Sequence, residues 1–160
     1  MALVHDMAEA LVGDITPMDN VAKAEKSRRE AETMEFICGD LLGRVEGGLG
    51  GREVRELWWE YENDETGEAH FVHDVDKVEL LLQMVEYEKG AGGGLDLSEF
   101  TRVAERVVMP ECREWVREIL RERGEFWKGL GKEAGGVPSI PDEVKKQQDE
   151  YYGGKEGRKC

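Results

Sequence analysis

Basic residues are scarce in this 160-residue chain: 22 Lys and Arg stand against 36 Asp and Glu, for a formal net charge of −14. An acidic chain repels nucleic-acid polymers and anionic membrane surfaces, so neither is an expected partner. A small phosphate substrate is not excluded, because a bound metal inverts the local field. Cysteines are few, odd in number and far apart (Cys38, Cys112 and Cys160), which argues for reduced thiols in an intracellular, cytoplasmic setting rather than a disulfide framework. Cys38 and Cys112 fall at apolar helix positions. Residues 1–12 carry acids and no basic n-region, so no signal peptide is expected. No apolar run approaches the roughly 18 residues that a membrane span needs. No alternating strand pattern and no internal repeat appear, and no Lys-Ser/Thr pair follows the Gly-rich stretch at 43–51.

What remains is helical. The chain is 39% hydrophobic and 36% charged, enough apolar material for one packed core. A short apolar helix is expected over 2–12, stopped by Gly13. A loop follows from Asp14, with Asn20 as the cap of a helix over 21–42. Residues 43–51 read as a flexible connector. Further helices are expected over 52–62 and 67–89, the latter with an apolar stripe of Phe71, Val75, Val78, Leu82 and Val85. A helix near 97–108 and one opening at Pro110 and ending about Leu130 complete the set. Trp58 and Trp59, being adjacent, cannot both face a core. From 131 the composition turns to Gly, Pro, Lys and Gln and reads as a disordered tail. Its six basic and six acidic residues cancel, so the −14 belongs to residues 1–130.

The chemistry concentrates in VHDMAEALVGD. His5 and Asp6 offer a nitrogen and an oxygen from one turn, a set suited to a borderline or hard divalent ion such as Mn, Co, Fe, Zn or Mg. Glu9 lies one turn on and faces the same way, and Asp14 follows the helix stop. Asp76 is a charge within the 67–89 stripe, costly there unless paired or ligated. Two accounts stand at this level. Either these groups build a metal site with a proton-shuttling acid, or His5-Asp6 is a surface dipeptide, Glu9 and Asp14 are solvated acids, and Asp76 pairs with a lysine. Lys23, Lys26, Arg28 and Arg29 likewise read either as anion holders or as a solvated face partnered by Glu25 and Glu30.

The string ALVHDMAEALVGDITP resembles the metal-binding core of the HD-domain superfamily of phosphohydrolases, and more narrowly its 5′-deoxynucleotidases. The likeness continues through KAEKSRREAE, ELWWEYE, FVHDVDKVELLLQMVEYE and VREILRER. The resemblance implies an all-α HD-domain helical bundle over 1–130 that removes phosphate from deoxyribonucleoside 5′-monophosphates, requires a divalent metal and forms homodimers. By position, His5, Asp6 and Asp76 match the metal ligands, Glu9 the acid that assists catalysis, and Asp14 the reader of the sugar hydroxyl. His73 and Asp74, a second His-Asp pair, are expected on the outer part of their helix. Members of the family also have a His ligand on a helix well before the pair, with an Arg and an aromatic residue that contact the nucleotide. Only four residues precede His5 here, so the expectation is an N-terminally truncated form. His73, on one face with Asp76, is the candidate substitute ligand, and a catalytically impaired remnant acting by dimerisation is the rival reading.

Overall fold

The computed structural model describes residues 1–16, 19 and 21–135. Every regular element among them is helical, as the sequence pattern requires, and no strand occurs among the described residues. The chain divides into two compact units, the first over Met1–Asp64 and the second beginning at Glu65.

The first unit opens with consecutive turns rather than the regular helix expected over 2–12; only α1 (Glu9–Val12) is α-helical. The turns run largely on i→i−3 bonds, such as Val4 N–H to Met1 O and Glu9 N–H to Asp6 O. The His5 ring bonds the Ala2 carbonyl, which a regular helix would offer to the Asp6 N–H. Gly13, at φ 76°, ends α1 and returns its N–H to the Glu9 carbonyl. In the following loop the Thr16 N–H and Oγ1 both donate to Asp19 Oδ2 at 2.7 Å. The expected Asn20 cap lies outside the described residues.

Helix α2 (Lys23–Glu35) runs without interruption into a π-helical turn, Phe36–Leu41. The segment read as a connector is structured. A 3₁₀ turn, Val45–Gly48, leads into α3 (Leu49–Asn63), which starts three residues earlier than its apolar pattern suggests. Gly51 is the reason. A Cβ there would lie 2.3 Å from the Cys38 carbonyl oxygen, so only glycine lets α3 and the π turn approach this closely. Ala8, Met34, Ile37, Cys38 and Trp58 form the core of this unit. Trp58 is 2% exposed and Trp59 43%, which divides the pair as their adjacency demands.

The second unit is built on α4 (Gly67–Gly90), whose first turn is capped by Thr66 Oγ1 accepting the Ala69 N–H. The helix expected near 97–108 is a 3₁₀ segment, Ser98–Arg106, and α5 (Pro110–Gly129) starts with proline in its first turn. Leu81, Met84, Val85, Val103, Val107, Cys112, Val116 and Ile119 pack as its core. The buried face of α4 only partly follows the expected stripe: Val78 packs against the core and Phe71 and Leu82 are exposed, while Asp74, Leu81, Val85 and Glu88 are buried. Two of those four are acids, which a hydrophobicity pattern places outside. Asp74 is therefore not on the outer part of α4. Its Oδ2 accepts the N–H groups of Val108 (2.9 Å) and Met109 (2.6 Å), immediately before α5. Cys38 and Cys112 are buried free thiols. No helix among the described residues is long and apolar enough to cross a membrane.

Candidate functional site

The turn that carries His5 and Asp6 brings their side chains together, His5 Nε2 lying 3.0 Å from Asp6 Oδ2. The other ring nitrogen, Nδ1, is 2.8 Å from the Ala2 carbonyl oxygen and donates to it in the tautomer protonated at Nδ1. That bond orients the ring, as second-shell carbonyls do for ligating histidines, and leaves Nε2 as the nitrogen able to bind a cation. Tyr61 of α3 backs the ring at a centroid distance of 5.0 Å. A neutral imidazole nitrogen and a carboxylate oxygen held side by side are donor types that suit a borderline divalent ion.

Glu9, at the start of α1, is half-buried, and its carboxyl is raised to about 7. Burial is the main cause; the charges of Asp6, Asp14 and Glu30 add to it, while Lys26 opposes it. A carboxyl poised near neutrality can both take and give a proton, as general acid–base chemistry requires. Asp14 is exposed, directly after the Gly13 stop, and close enough for its charge to act on Glu9. Within the first unit, then, His5 meets Asp6, and Asp6 and Asp14 both bear on Glu9.

Asp76 belongs to the second unit. It is exposed on α4 rather than embedded in an apolar stripe, and it lines an open cavity of about 270 Å³ floored by Leu80, Met84, Leu97 and Phe100. Among the described residues, no three His, Cys, Asp or Glu side chains converge as a metal-holding group.

The basic run on α2 resolves into separate tasks. Arg28 and Arg29 pair with Glu25 on the solvated face, at 2.9 and 2.7 Å. Lys26 turns inward instead. Its Nζ lies 3.2 Å from the Ile15 carbonyl oxygen, 3.5 Å from Glu30 Oε1 and 3.9 Å from Glu9 Oε1. Sequence reading placed Lys26 with its neighbours; the i,i+4 spacing to Glu30 was the one available signal that it differs.

Residues 1–115 match the family model described as HD domain. The chain is 46% identical over 130 residues to the 5′-deoxynucleotidase hdd1 of Schizosaccharomyces pombe, covering 81% of this chain and 65% of that one. It is 39% identical over 130 residues to the 5′-deoxynucleotidase YGK1 of Saccharomyces cerevisiae, with 81% and 60% covered. To the 5′-deoxynucleotidase HDDC2 of Danio rerio it is 47% identical over 141 residues, with 88% and 68% covered. The chain spans about 54 to 65% of the length of the three yeast relatives it matches. A helical chain whose first 115 residues match that model belongs to the HD-domain family, and the relatives it is similar to are named 5′-deoxynucleotidases.

Proposed function

We propose that this chain hydrolyses deoxyribonucleoside 5′-monophosphates to deoxynucleoside and phosphate, as the names of its relatives suggest, and that it uses a divalent metal, as its HD domain implies. The observation that carries the reading is local: His5 Nε2 and Asp6 Oδ2 stand 3.0 Å apart, beside a Glu9 carboxyl raised to about 7.

His5 and Asp6 are the residues of the first unit that would hold the metal, and the family resemblance names Asp76 as a further ligand. When bound, a divalent ion polarises a phosphoryl oxygen and makes a water molecule acidic enough to attack at neutral pH. Glu9 handles the protons: its Oε atoms take one from the attacking water or give one to the departing 5′-oxygen. Placement near neutrality suits both directions. Asp14, exposed at the end of the Gly13 turn, accepts a hydrogen bond from the sugar 3′-hydroxyl. Preference for the 2′-deoxy sugar, a homodimeric state and a cytoplasmic location are parts of the same proposal, drawn from the family resemblance.

The test is phosphate release from deoxyribonucleoside 5′-monophosphates with Mn, Co or Mg added, set against the ribonucleotides, with Asp6→Ala as control. Turnover that requires metal, favours deoxy substrates and vanishes in Asp6→Ala supports the proposal. A folded chain that binds metal or nucleotide without turnover supports the rival, an impaired HD domain that acts by dimerising.

A further inference from the structure

Lys26 is placed unlike any other cation of α2. Its side chain is only 19% exposed, whereas those of Arg28 and Arg29 are 54% and 45% exposed. Three oxygens from three stretches of chain surround its ammonium: Glu9 Oε1 on α1, the Ile15 carbonyl in the loop, and Glu30 Oε1 one turn along α2. The ammonium donates to the Ile15 carbonyl at 3.2 Å, and its charge attracts the Glu30 and Glu9 carboxyls at 3.5 and 3.9 Å. Glu30 is buried, and its carboxyl is raised chiefly by that burial, with Lys26 acting against the shift. An ordinary surface ion pair has none of these features.

We propose that Lys26 is a positioning residue for Glu9, its ammonium tying the Glu9 carboxyl and the backbone beside Asp14 to α2. The inference rests on the hydrolase reading for its consequence, though not for its geometry. Glu9 sits on a helix of four residues, too short to hold a side chain still by its own hydrogen bonds. Asp14 sits in the loop between Gly13 and Ile15. One anchor from the long α2 helix restrains both. A proton-transfer group acts only while it is held within reach of the atom it serves, so freeing Glu9 lowers the chemical step rather than substrate affinity.

Two experiments decide this. In steady-state phosphate release from a deoxyribonucleoside 5′-monophosphate with Mn, Lys26→Met is expected to lower kcat about 10- to 100-fold, part of what a general acid–base group supplies. KM should stay within about threefold, and in a Glu9→Gln background Lys26→Met should cost little more. A rise in KM with kcat unchanged, or a full additional loss in the Glu9→Gln background, overturns the proposal. Hydrogen exchange over residues 9–16 needs no turnover: Lys26→Met should exchange faster there, and rates equal to the parent chain overturn the proposal. A parent chain with no activity sinks the hydrolase reading and leaves the exchange rates to decide on Lys26.

Discussion

Arg123 of α5 closes a two-pronged ion pair on Glu88 of α4, Nε to Oε2 at 2.8 Å and Nη2 to Oε1 at 2.9 Å. Both side chains are buried, and the remaining carboxylate capacity is filled by the Trp127 indole N–H and the Leu97 backbone N–H. Asp96 accepts a further bond from Arg123. A buried pair this well satisfied is costly to halve, because the partner left behind is a desolvated charge. Arg123→Leu is expected to destabilise the second unit by about 3–5 kcal/mol, read by denaturant unfolding. Replacing both partners together with apolar residues should cost less than Arg123→Leu alone.

The same pair sets an acid limit. Burial alone would raise the Glu88 carboxyl, but the hydrogen bonds from Arg123, Trp127 and Leu97 outweigh it and hold the group below its ordinary 4.5. A carboxyl depressed in the fold stabilises above its unfolded value and loses that contribution as pH falls through the folded one. Unfolding free energy should therefore fall as pH drops below about 4.5, and Glu88→Gln should flatten that slope. Parallel acid-unfolding curves for the two chains would refute the assignment.

Asp74 predicts a second large effect. Its Oδ2 is the acceptor for two backbone N–H groups where the chain enters α5. Asp74→Ala strands both donors in a partly buried place, at up to about 1–3 kcal/mol each. Asp74→Asn keeps an oxygen and should recover part of the loss. Thermal unfolding of the two variants ranks them.

Glu9 works in the opposite sense to Glu88. Its folded carboxyl is raised to about 7 by burial and by Asp6 and Asp14, so its contribution is fully present below about 4.5 and is lost as pH rises through about 7. In the metal-free chain, Glu9→Gln is expected to be more stabilising at pH 8 than at pH 5, a stability cost typical of functional carboxyls. Unfolding curves at the two pH values check it; a difference of the opposite sign contradicts the placement of Glu9.

The tryptophan pair separates packing from surface. Trp58→Ala should cost about 3–5 kcal/mol, the range for emptying a large core site. Trp59→Ala should fall within about 1 kcal/mol, as surface substitutions do. Unfolding midpoints at matched denaturant slope give both numbers.

Local signals carried the helical class, the span of α4 and the Pro110 start of α5, because periodicity, capping and proline chemistry act over a few residues. Three features lay beyond that reach. Glu88 and Arg123 are 35 positions apart, and nothing in either local pattern names the other. The buried register of α4 runs through two acids, so hydrophobicity alone found only part of it. Gly51 looks like part of a linker until the Cys38 carbonyl is placed against it. The candidate site was legible in one respect: His5, Asp6, Glu9 and Asp14 fall within ten residues of sequence. The inward turn of Lys26 and the burial that raises Glu9 depend on how α1 and α2 pack.

The central claim is that His5 and Asp6 serve a metal-dependent hydrolysis of deoxynucleotides. The most direct measurement is phosphate release from deoxyribonucleoside 5′-monophosphates with and without added Mn, on the parent chain and on a folded Asp6→Ala variant. The account predicts turnover only with metal, more on deoxy than on ribo substrates, and none in Asp6→Ala. Equal turnover by the parent and Asp6→Ala, or none by a folded, metal-supplied parent, would contradict it.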